Sequence, residues 1–453
     1  MQNFQKYFVR DSASILEVLE RQEKYQIKSL IVINKDDRVI GMVSDGDIRR
    51  YQTQNVSEQL TLTQVMNKQF FRIYDNDDFD LKIIQHDMSK GLVPILDSEQ
   101  RLVDVYTDDR KSLQFKPVQN DEFTVIAPTR ITFAGGGTDV ANWFKKYNGL
   151  CINAAINIYS RVSFSVRNDD LFYISSYNTR EHLKYSRSEL NAHSANNLIL
   201  CALKKFPSLP GLDIKIFCEY QPGSGLGGSS SLCVALLKGL CHISDYSLTN
   251  RELQSLAYEV ERNEASIKGG WQDQIASVEG GVNVISFDKK GPRNYKIESN
   301  YDDLNFLNNT FFLVRTGANR SSSSIHAQLE EMISDRNFVS KMFEIYKVAE
   351  TMEEIILSKQ FHKMGKLLNY SWKIKRKLYD GITNSEIDKL YSSLISFGAS
   401  GGKLLGAGGS GYLLMVVDLK HQFEFMKNCA ENEINLQRIS IDREGVRILK
   451  TRS

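Results

Sequence analysis

The first hundred residues alternate short apolar runs with polar turns, and the alternation recurs. Ile31-Val32-Ile33-Asn34 reads as a strand, Lys35-Asp36-Asp37 as a turn, and Val39-Ile40-Gly41-Met42-Val43-Ser44 as a second strand. The pattern returns 63 residues on, with Pro94-Ile95-Leu96-Asp97, Ser98-Glu99-Gln100 and Leu102-Val103-Asp104-Val105-Tyr106-Thr107, so that Arg38 falls on Arg101 and Ser44 on Thr107. Helices are expected before each strand pair, over 14–22 with Ile15, Leu16 and Leu19 on one face, and over 81–89. Neither copy is large enough to bury both faces of its sheet, so the two are expected to pack together.

From Phe123 onward the pattern is mixed α/β. Thr124–Ala134 and Asn153–Val166 read as strands, and Asp213-Ile214-Lys215-Ile216-Phe217 as another. Glycine is sparse before residue 120 and then comes in blocks at 135–137, 223–228, 269–270, 280–281 and 398–411. Blocks of this kind let backbone approach a ligand or another loop, or simply make tight turns. The polar stretch Gln114-Phe115-Lys116-Pro117-Val118-Gln119-Asn120-Asp121-Glu122 is the best candidate linker.

Composition removes several function classes. The chain has 453 residues, 42% apolar and 25% charged, which fits a soluble protein of more than one domain. Lys plus Arg (57) nearly balances Asp plus Glu (55), leaving a net charge of +2 and no case for a nucleic-acid binder. No apolar run approaches the ~20 residues of a membrane helix, and the N-terminus has no apolar signal core. The six cysteines form no CxxC and stand at no zinc-like spacing from His, so reduced thiols in a cytoplasmic protein are expected.

The strongest chemical signal is Pro222-Gly223-Ser224-Gly225-Leu226-Gly227-Gly228-Ser229-Ser230-Ser231, which runs into the apolar helix pattern Leu232–Leu240. A glycine loop emptying into a helix start turns bare amides toward one concavity, and the helix dipole adds positive charge there. That suits polyphosphate; a flexible loop is the alternative. No GK[ST] follows, so it is not a Walker loop.

Thr249-Asn250-Arg251-Glu252 is a capping box opening a helix whose apolar face is Leu253, Leu256, Ala257 and Val260, with Glu261 at its edge. Twelve residues on, Asp273 lies in Gly269-Gly270-Trp271-Gln272-Asp273-Gln274. Glu261 could be a surface carboxylate and Asp273 a helix cap, or the two could be a metal ligand and a base. Phe397–Gly411 is glycine-rich and leads into a strand over 412–417, so its backbone must pass close to phosphate or to another loop.

Residues 1–115 resemble a tandem CBS (Bateman) module, on Gly41-Met42-Val43-Ser44-Asp45-Gly46-Asp47-Ile48-Arg49-Arg50 and Val65-Met66-Asn67. The resemblance implies that Ser44 and Asp47 contact an adenine nucleotide, AMP or ADP. The second copy has Arg110 where that Asp would stand, so one nucleotide site at most is expected, or a purely structural pair. Such modules commonly dock in pairs, compatible with a homodimer.

Residues 123–453 resemble the GHMP kinase superfamily. Three motifs carry this: Ala127-Pro128-Thr129-Arg130 ending in Thr138-Asp139, the Pro222–Ser231 loop, and the Gly401–Gly411 loop. Gly135-Gly136-Gly137-Thr138-Asp139, Gly269–Gln274 and Gly402–Gly409 look most like D-glycero-α-D-manno-heptose 7-phosphate kinases. Galactokinases carry an acid and a His where Gly136 and Gly137 stand.

The resemblance implies an α/β (α+β) chain: residues 1–115 regulatory, 116–122 linker, 123–300 a lobe like ribosomal protein S5 domain 2, and 301–453 a ferredoxin-like lobe. It implies ATP on Pro222 to Ser230 (Pro222, Gly223, Ser224, Gly225, Leu226, Gly227, Gly228, Ser229 and Ser230), and Mg²⁺ on Ser229 or Ser230 with Glu261. Asp273 is the implied base, with Arg130 beside it, and Gly136, Gly137, Thr138, Asp139 and Gly408 face the sugar. Arg320 and Lys403 are candidates for a second phosphate on the sugar. The implied activity is phosphorylation of a heptose 7-phosphate at its anomeric hydroxyl, for nucleotide-sugar and surface polysaccharide synthesis. The alternatives are a kinase of another sugar such as L-fucose, or a nucleotide-sensing protein with a degenerate kinase body.

Overall fold

The computed structural model describes residues 6–25, 27–54, 61–68, 70–74, 92–107, 122–192, 197–298, 300–317 and 332–449. The helix expected over 81–89, Arg110, Arg320 and all of the 116–122 linker but Glu122 lie outside the described residues. The chain divides into two compact units, Met1–Pro117 (with residues 452–453) and Val118–Thr451.

In the first unit, β1 (Phe8–Arg10), β2 (Ser29–Ile33) and β3 (Val39–Ser44) form one sheet, and β4 (Ile73–Tyr74), β5 (Leu92–Leu96) and β6 (Leu102–Thr107) form another. Each sheet pairs its first two strands parallel and its last two antiparallel. The copies agree atom by atom at the turns. Asn34 Oδ1 accepts from the amides of Asp36 and Arg38, and Asp97 Oδ1 accepts from those of Glu99 and Arg101. Asp37 and Gln100, one repeat apart, both take positive φ (61° and 67°), and both second strands bulge at the same step. Arg38 and Arg101 form a β-bridge to each other, and one core mixes Ile31, Ile33 and Val39 with Leu92, Leu96 and Val105. The repeat thus packs on itself.

One expectation fails here. The helix runs Ile15–Tyr25, but Leu16 and Leu19 are exposed and the buried residues are Val18 and Gln22. Ile15, Val18 and Gln22 share a stripe at i, i+3, i+7; Leu16 and Leu19 sit one residue, roughly 100°, round from it. Gln22 is tolerated inside because its Nε2 donates to Lys28 O at 3.0 Å.

The second unit is built on β7 (Phe123–Ala134) and the 18-residue β8 (Gly149–Val166), antiparallel along most of their length. Pro128 sits in mid-strand, which a register shift at Pro128/Thr129 accommodates. With β9 (Leu171–Ser176), β10 (Glu181–Ser186), β11 (Leu212–Cys218), β12 (Val282–Asp288) and β13 (Gly291–Ile297) they form a sheet in the order β10-β9-β11-β8-β12-β13, β7 lying on β8.

The second sheet holds β14 (Phe311–Arg315), β15 (Gly401–Leu404), β16 (Tyr412–Val416) and β17 (Leu436–Arg438) in the order β15-β16-β14-β17. Helices intervene between β14 and β15 and between β16 and β17, which is the ferredoxin-like arrangement. Phe133, Ile152 and Ile285 from the first lobe share one core with Phe312, Met352 and Leu414 from the second. The lobes are not consecutive segments. The last strand, β18 (Arg447–Leu449), returns to pair with β7, so the segment expected to be wholly C-terminal lobe gives its end to the other one. Asp442 holds that return, accepting from Tyr159 Oη, Arg447 Nη1 and Gly445 N, each at 2.8 Å.

Candidate active site

The site lies where the two lobes of the second unit meet. Helix Gly228–Ile243 starts at the mouth of β11, and its N-cap is Gly227, which offers no side chain to the first-turn amides. Gly223, Gly225 and Gly227 take φ of 77°, 75° and 74°, a region L side chains avoid. The second glycine block packs on this loop: a Cβ on Gly225 would stand 2.8 Å from Leu405 O, and one on Gly411 would stand 2.6 Å from Ser224 O. The 401–411 block thus packs on another loop, one of the two partners the sequence leaves open, and its Gly406, Gly408 and Ser410 also line the cavity described below. Part of the block, Gly401–Leu404, is strand rather than loop.

Behind the loop stands Glu261, fully buried. It lies in a π-helical turn, Glu259–Glu264, that continues helix Asn250–Tyr258. Its Oε1 accepts from Ser229 Oγ (2.6 Å) and pairs with Arg262 Nη1 (2.9 Å). Its Oε2 accepts from Ser230 Oγ and Gln274 Nε2, both 2.6 Å. Ser229 lies on the cavity wall. Ser230 is buried off it and braces Glu261, so it does not face a ligand as expected of it; Leu226 is likewise buried in the core.

Asp273 is the second residue of helix Gln272–Glu279. Its Oδ1 accepts from Arg130 Nε at 2.7 Å, and Oδ2 stands 3.7 Å from Arg262 Nη2. Arg130 also donates from Nη1 to Gly225 O and from its amide to Leu226 O, so it ties β7 to the glycine loop as well as to Asp273. A Cβ on Gly227 would meet Asp273 Cγ at 3.1 Å; the missing side chain lets loop and carboxylate touch.

Asp139 accepts from Gly137 N (3.0 Å), Gln272 N (3.3 Å) and Gln272 Nε2 (3.2 Å), and Gly270 leaves it room: a Cβ there would fall 1.9 Å from Oδ2. Thr138 departs from expectation. It is fully buried, and its hydroxyl is bound to Gly135 O and Leu150 O, so it fixes the Gly135–Asp139 turn and presents nothing to the cavity.

Arg130, Asp139, Ser229, Arg262 and Asp273 line a cavity of about 490 Å³. Its wall includes the apolar Ile199, Ile216 and Leu232 and the polar Arg130, Asp139, Asp273, Lys375 and Lys403. Gly136, Gly137 and Gly408 also line it, as do Pro222 to Gly225 and Gly227 to Ser229. Burial pushes Lys403 down to about 8 and Lys375 well below the ordinary lysine value; the Arg130 charge adds to both and Lys403 adds to Lys375.

Sequence reasoning passed over Arg262 and Lys375. Lys375 sits in Lys373-Ile374-Lys375-Arg376-Lys377, which reads as a solvated basic run. Arg262 follows Glu261 directly, and a 3.6-residue period does not turn two successive long side chains inward.

The donor set fits a nucleotide with Mg²⁺. Ser229, on the cavity wall at the start of a helix, supplies a hard oxygen of the kind that Mg²⁺ takes alongside phosphate, and Glu261, buried behind it, is the carboxylate that Ser229 reaches. Among the described residues no cluster of three or more His, Cys, Asp or Glu would hold a metal without such a partner. All six cysteines are free, and no described helix is long and apolar enough to cross a membrane.

Residues 197–281 match the GHMP kinases N terminal domain and residues 352–428 the GHMP kinases C terminal domain; residues 5–53 match the CBS domain. The chain therefore carries both domains of a GHMP kinase with a CBS domain at its N-terminus. It is 28% identical over 330 residues to the D-glycero-alpha-D-manno-heptose 7-phosphate kinase of Campylobacter jejuni, covering 71% of this chain and 96% of that protein. It is 24% identical to the bifunctional fucokinase/GDP-fucose pyrophosphorylase of Arabidopsis thaliana, over 64% of this chain but 29% of that protein. Among solved structures, a D-glycero-D-manno-heptose 1-phosphate kinase from Bacteroides thetaiotaomicron aligns with a TM-score of 0.60 at 22% identity, covering 73% of this chain and all of that one. That last likeness is one of fold.

Proposed function

We propose that this chain is an ATP-dependent sugar kinase that phosphorylates the anomeric hydroxyl of D-glycero-D-manno-heptose 7-phosphate, giving the 1,7-bisphosphate. One observation carries the reading: Arg130 joins Asp273 to the glycine loop on the cavity wall, and Ser229 of that loop reaches the buried Glu261 behind it. When bound, the nucleotide and Mg²⁺ supply the phosphoryl group and offset its charge.

The chain's own residues do the rest. Ile199, Ile216 and Leu232 offer apolar wall to the base. The open amides of the first turn after Gly227 face polyphosphate, with Ser229 and Glu261 as the metal-holding oxygens; Ser229 must turn its hydroxyl off Glu261 to serve. Gly136, Gly137 and Asp139 orient the sugar. Arg130 grips Asp273 Oδ1, which leaves Oδ2 to take the proton of the attacking hydroxyl. Positioning of this kind is most of what phosphoryl transfer asks of a protein.

An ADP-release screen over phosphorylated and free sugars tests the reading. Turnover is expected with heptose 7-phosphate; ADP release with none of the sugars would refute it. A second reading, L-fucose as acceptor, is favoured by the fucokinase-containing relatives, and turnover confined to free sugars would select it.

The first unit is proposed to bind AMP or ADP near Ser44 and Asp47 and to adjust activity or pairing into a homodimer. Calorimetry on the full chain with the cavity saturated by a non-hydrolysable nucleotide should show a further AMP site; no added heat with AMP would contradict it.

A further inference from the structure

Two lysines on the cavity wall have no carboxylate partner among the described residues. Lys403, in β15, is 4% exposed, and its Nζ donates to Phe133 O at 3.3 Å. Lys375 ends helix Met364–Lys375 and donates from Nζ to Leu404 O and Gly406 O. Neither ammonium pairs with an Asp or Glu among the described residues. The acids of the site are already engaged: Asp273 by Arg130, Glu261 by Arg262, and Asp139 by three N–H donors. Lys403 is buried and Lys375 partly buried; a cation held out of water without a counter-charge is costly, and it becomes favourable once an anion enters.

Their placement narrows what that anion is. Phe133 leads directly into the Gly135–Asp139 turn, so Lys403 stands on the acceptor side. Gly406 packs on Gly225, so Lys375 stands nearer the glycine loop. Arg130 lines the same cavity, and its charge lowers the basicity of each ammonium. Carbonyl acceptors hold the two lysines in place, as a built site requires.

We propose that Lys375 and Lys403 form a second phosphate-binding subsite, distinct from the amide cradle at the start of helix Gly228–Ile243. The inference rests on the kinase reading above. The phosphate has two sources: the group in transfer, or one that the acceptor already carries. The depressed basicity of both lysines agrees, because a bound dianion restores what burial removes.

The test uses the full-length protein and four variants, Lys403→Met, Lys375→Met and the charge-keeping Lys403→Arg and Lys375→Arg. Calorimetry measures inorganic phosphate and heptose 7-phosphate without nucleotide; kinetics compares heptose 7-phosphate with its dephosphorylated heptose; ADP affinity, expected within twofold of wild type, reports the fold. Each Met variant is expected to lose at least tenfold in phosphate affinity or in turnover, with partial recovery in the Arg variant. A KM rise confined to the phosphorylated acceptor assigns the subsite to the acceptor's phosphate. An equal fall in kcat for both acceptors assigns it to the group in transfer. Met variants within twofold of wild type in every constant, or Arg variants no better than Met, would overturn the proposal. If wild type releases ADP with no sugar, the kinase reading fails separately, and the calorimetry alone decides the subsite.

Discussion

Two hydroxyl–carboxylate pairs in this chain have the same chemistry and opposite origins. Ser44 and Asp47 are three residues apart. Ser44 Oγ donates to Asp47 Oδ2 at 2.6 Å, and the amide of each residue donates to the side chain of the other at 2.9 and 3.2 Å. That is a capping box at the start of helix Asp45–Gln54, made by helix geometry alone. Ser229 and Glu261 lie 32 residues apart, and their contact needs a glycine turn, a buried helix and a π-turn. Burying a carboxylate that way costs desolvation and ordering, so the long-range pair points to a site, whereas the local one is accounted for without a ligand.

That contrast is best broken from the second unit first. Glu261→Gln removes the charge yet keeps the shape, and it is expected to lower turnover about 10²–10³-fold, the loss that accompanies removal of one preorganised electrostatic group. A loss below tenfold would make Glu261 a brace for the loop and no part of the reaction. Gly225→Ala tests the loop contact: with φ of 75° and Leu405 O 2.8 Å from the new Cβ, it should cost about 1–3 kcal/mol in thermal or urea unfolding. Unchanged stability would mean that the loops do not lean on each other.

A pH series sharpens the picture of the polar wall. Lys403 loses its proton near 8 in the native state against an ordinary 10.5. Between those values the unfolded chain binds the extra proton, so this group makes native stability rise with pH, and it leaves the affinity for an anionic acceptor falling as pH passes about 8. In Lys403→Met that fall in affinity should flatten. The smallest effect is expected in the first unit: Ser44→Ala should cost about 1 kcal/mol of cap and leave basal turnover unchanged. A tenfold drop in basal kcat would place Ser44 in the catalytic apparatus.

The repeat and the glycine loops were legible because each is written within a few dozen residues. A 63-residue offset can be read off the chain, and a run from Gly223 to Ser231 has few structural uses. Asp273 and Glu261 could be named by spacing but not placed, since their contacts to Arg130 and Ser229 span 143 and 32 residues. Arg262 was hidden because a π-turn changes which side of a helix faces in. Lys375 was hidden because its charged neighbours mimic solvent exposure. Thr138 misled in the other direction: a polar residue beside Asp139 suggests a ligand, yet its hydroxyl closes a backbone turn. The return of β18 to β7 has no local signature at all, being three residues paired across more than three hundred.

The most direct measurement is single-turnover phosphoryl transfer to heptose 7-phosphate by Asp273→Asn, run beside its ATP affinity. The account predicts transfer slowed about 10²–10⁴-fold with ATP bound nearly as tightly as by the parent protein. Transfer at the parental rate would show that the proton leaves the sugar by another route and would contradict the assignment of this carboxylate.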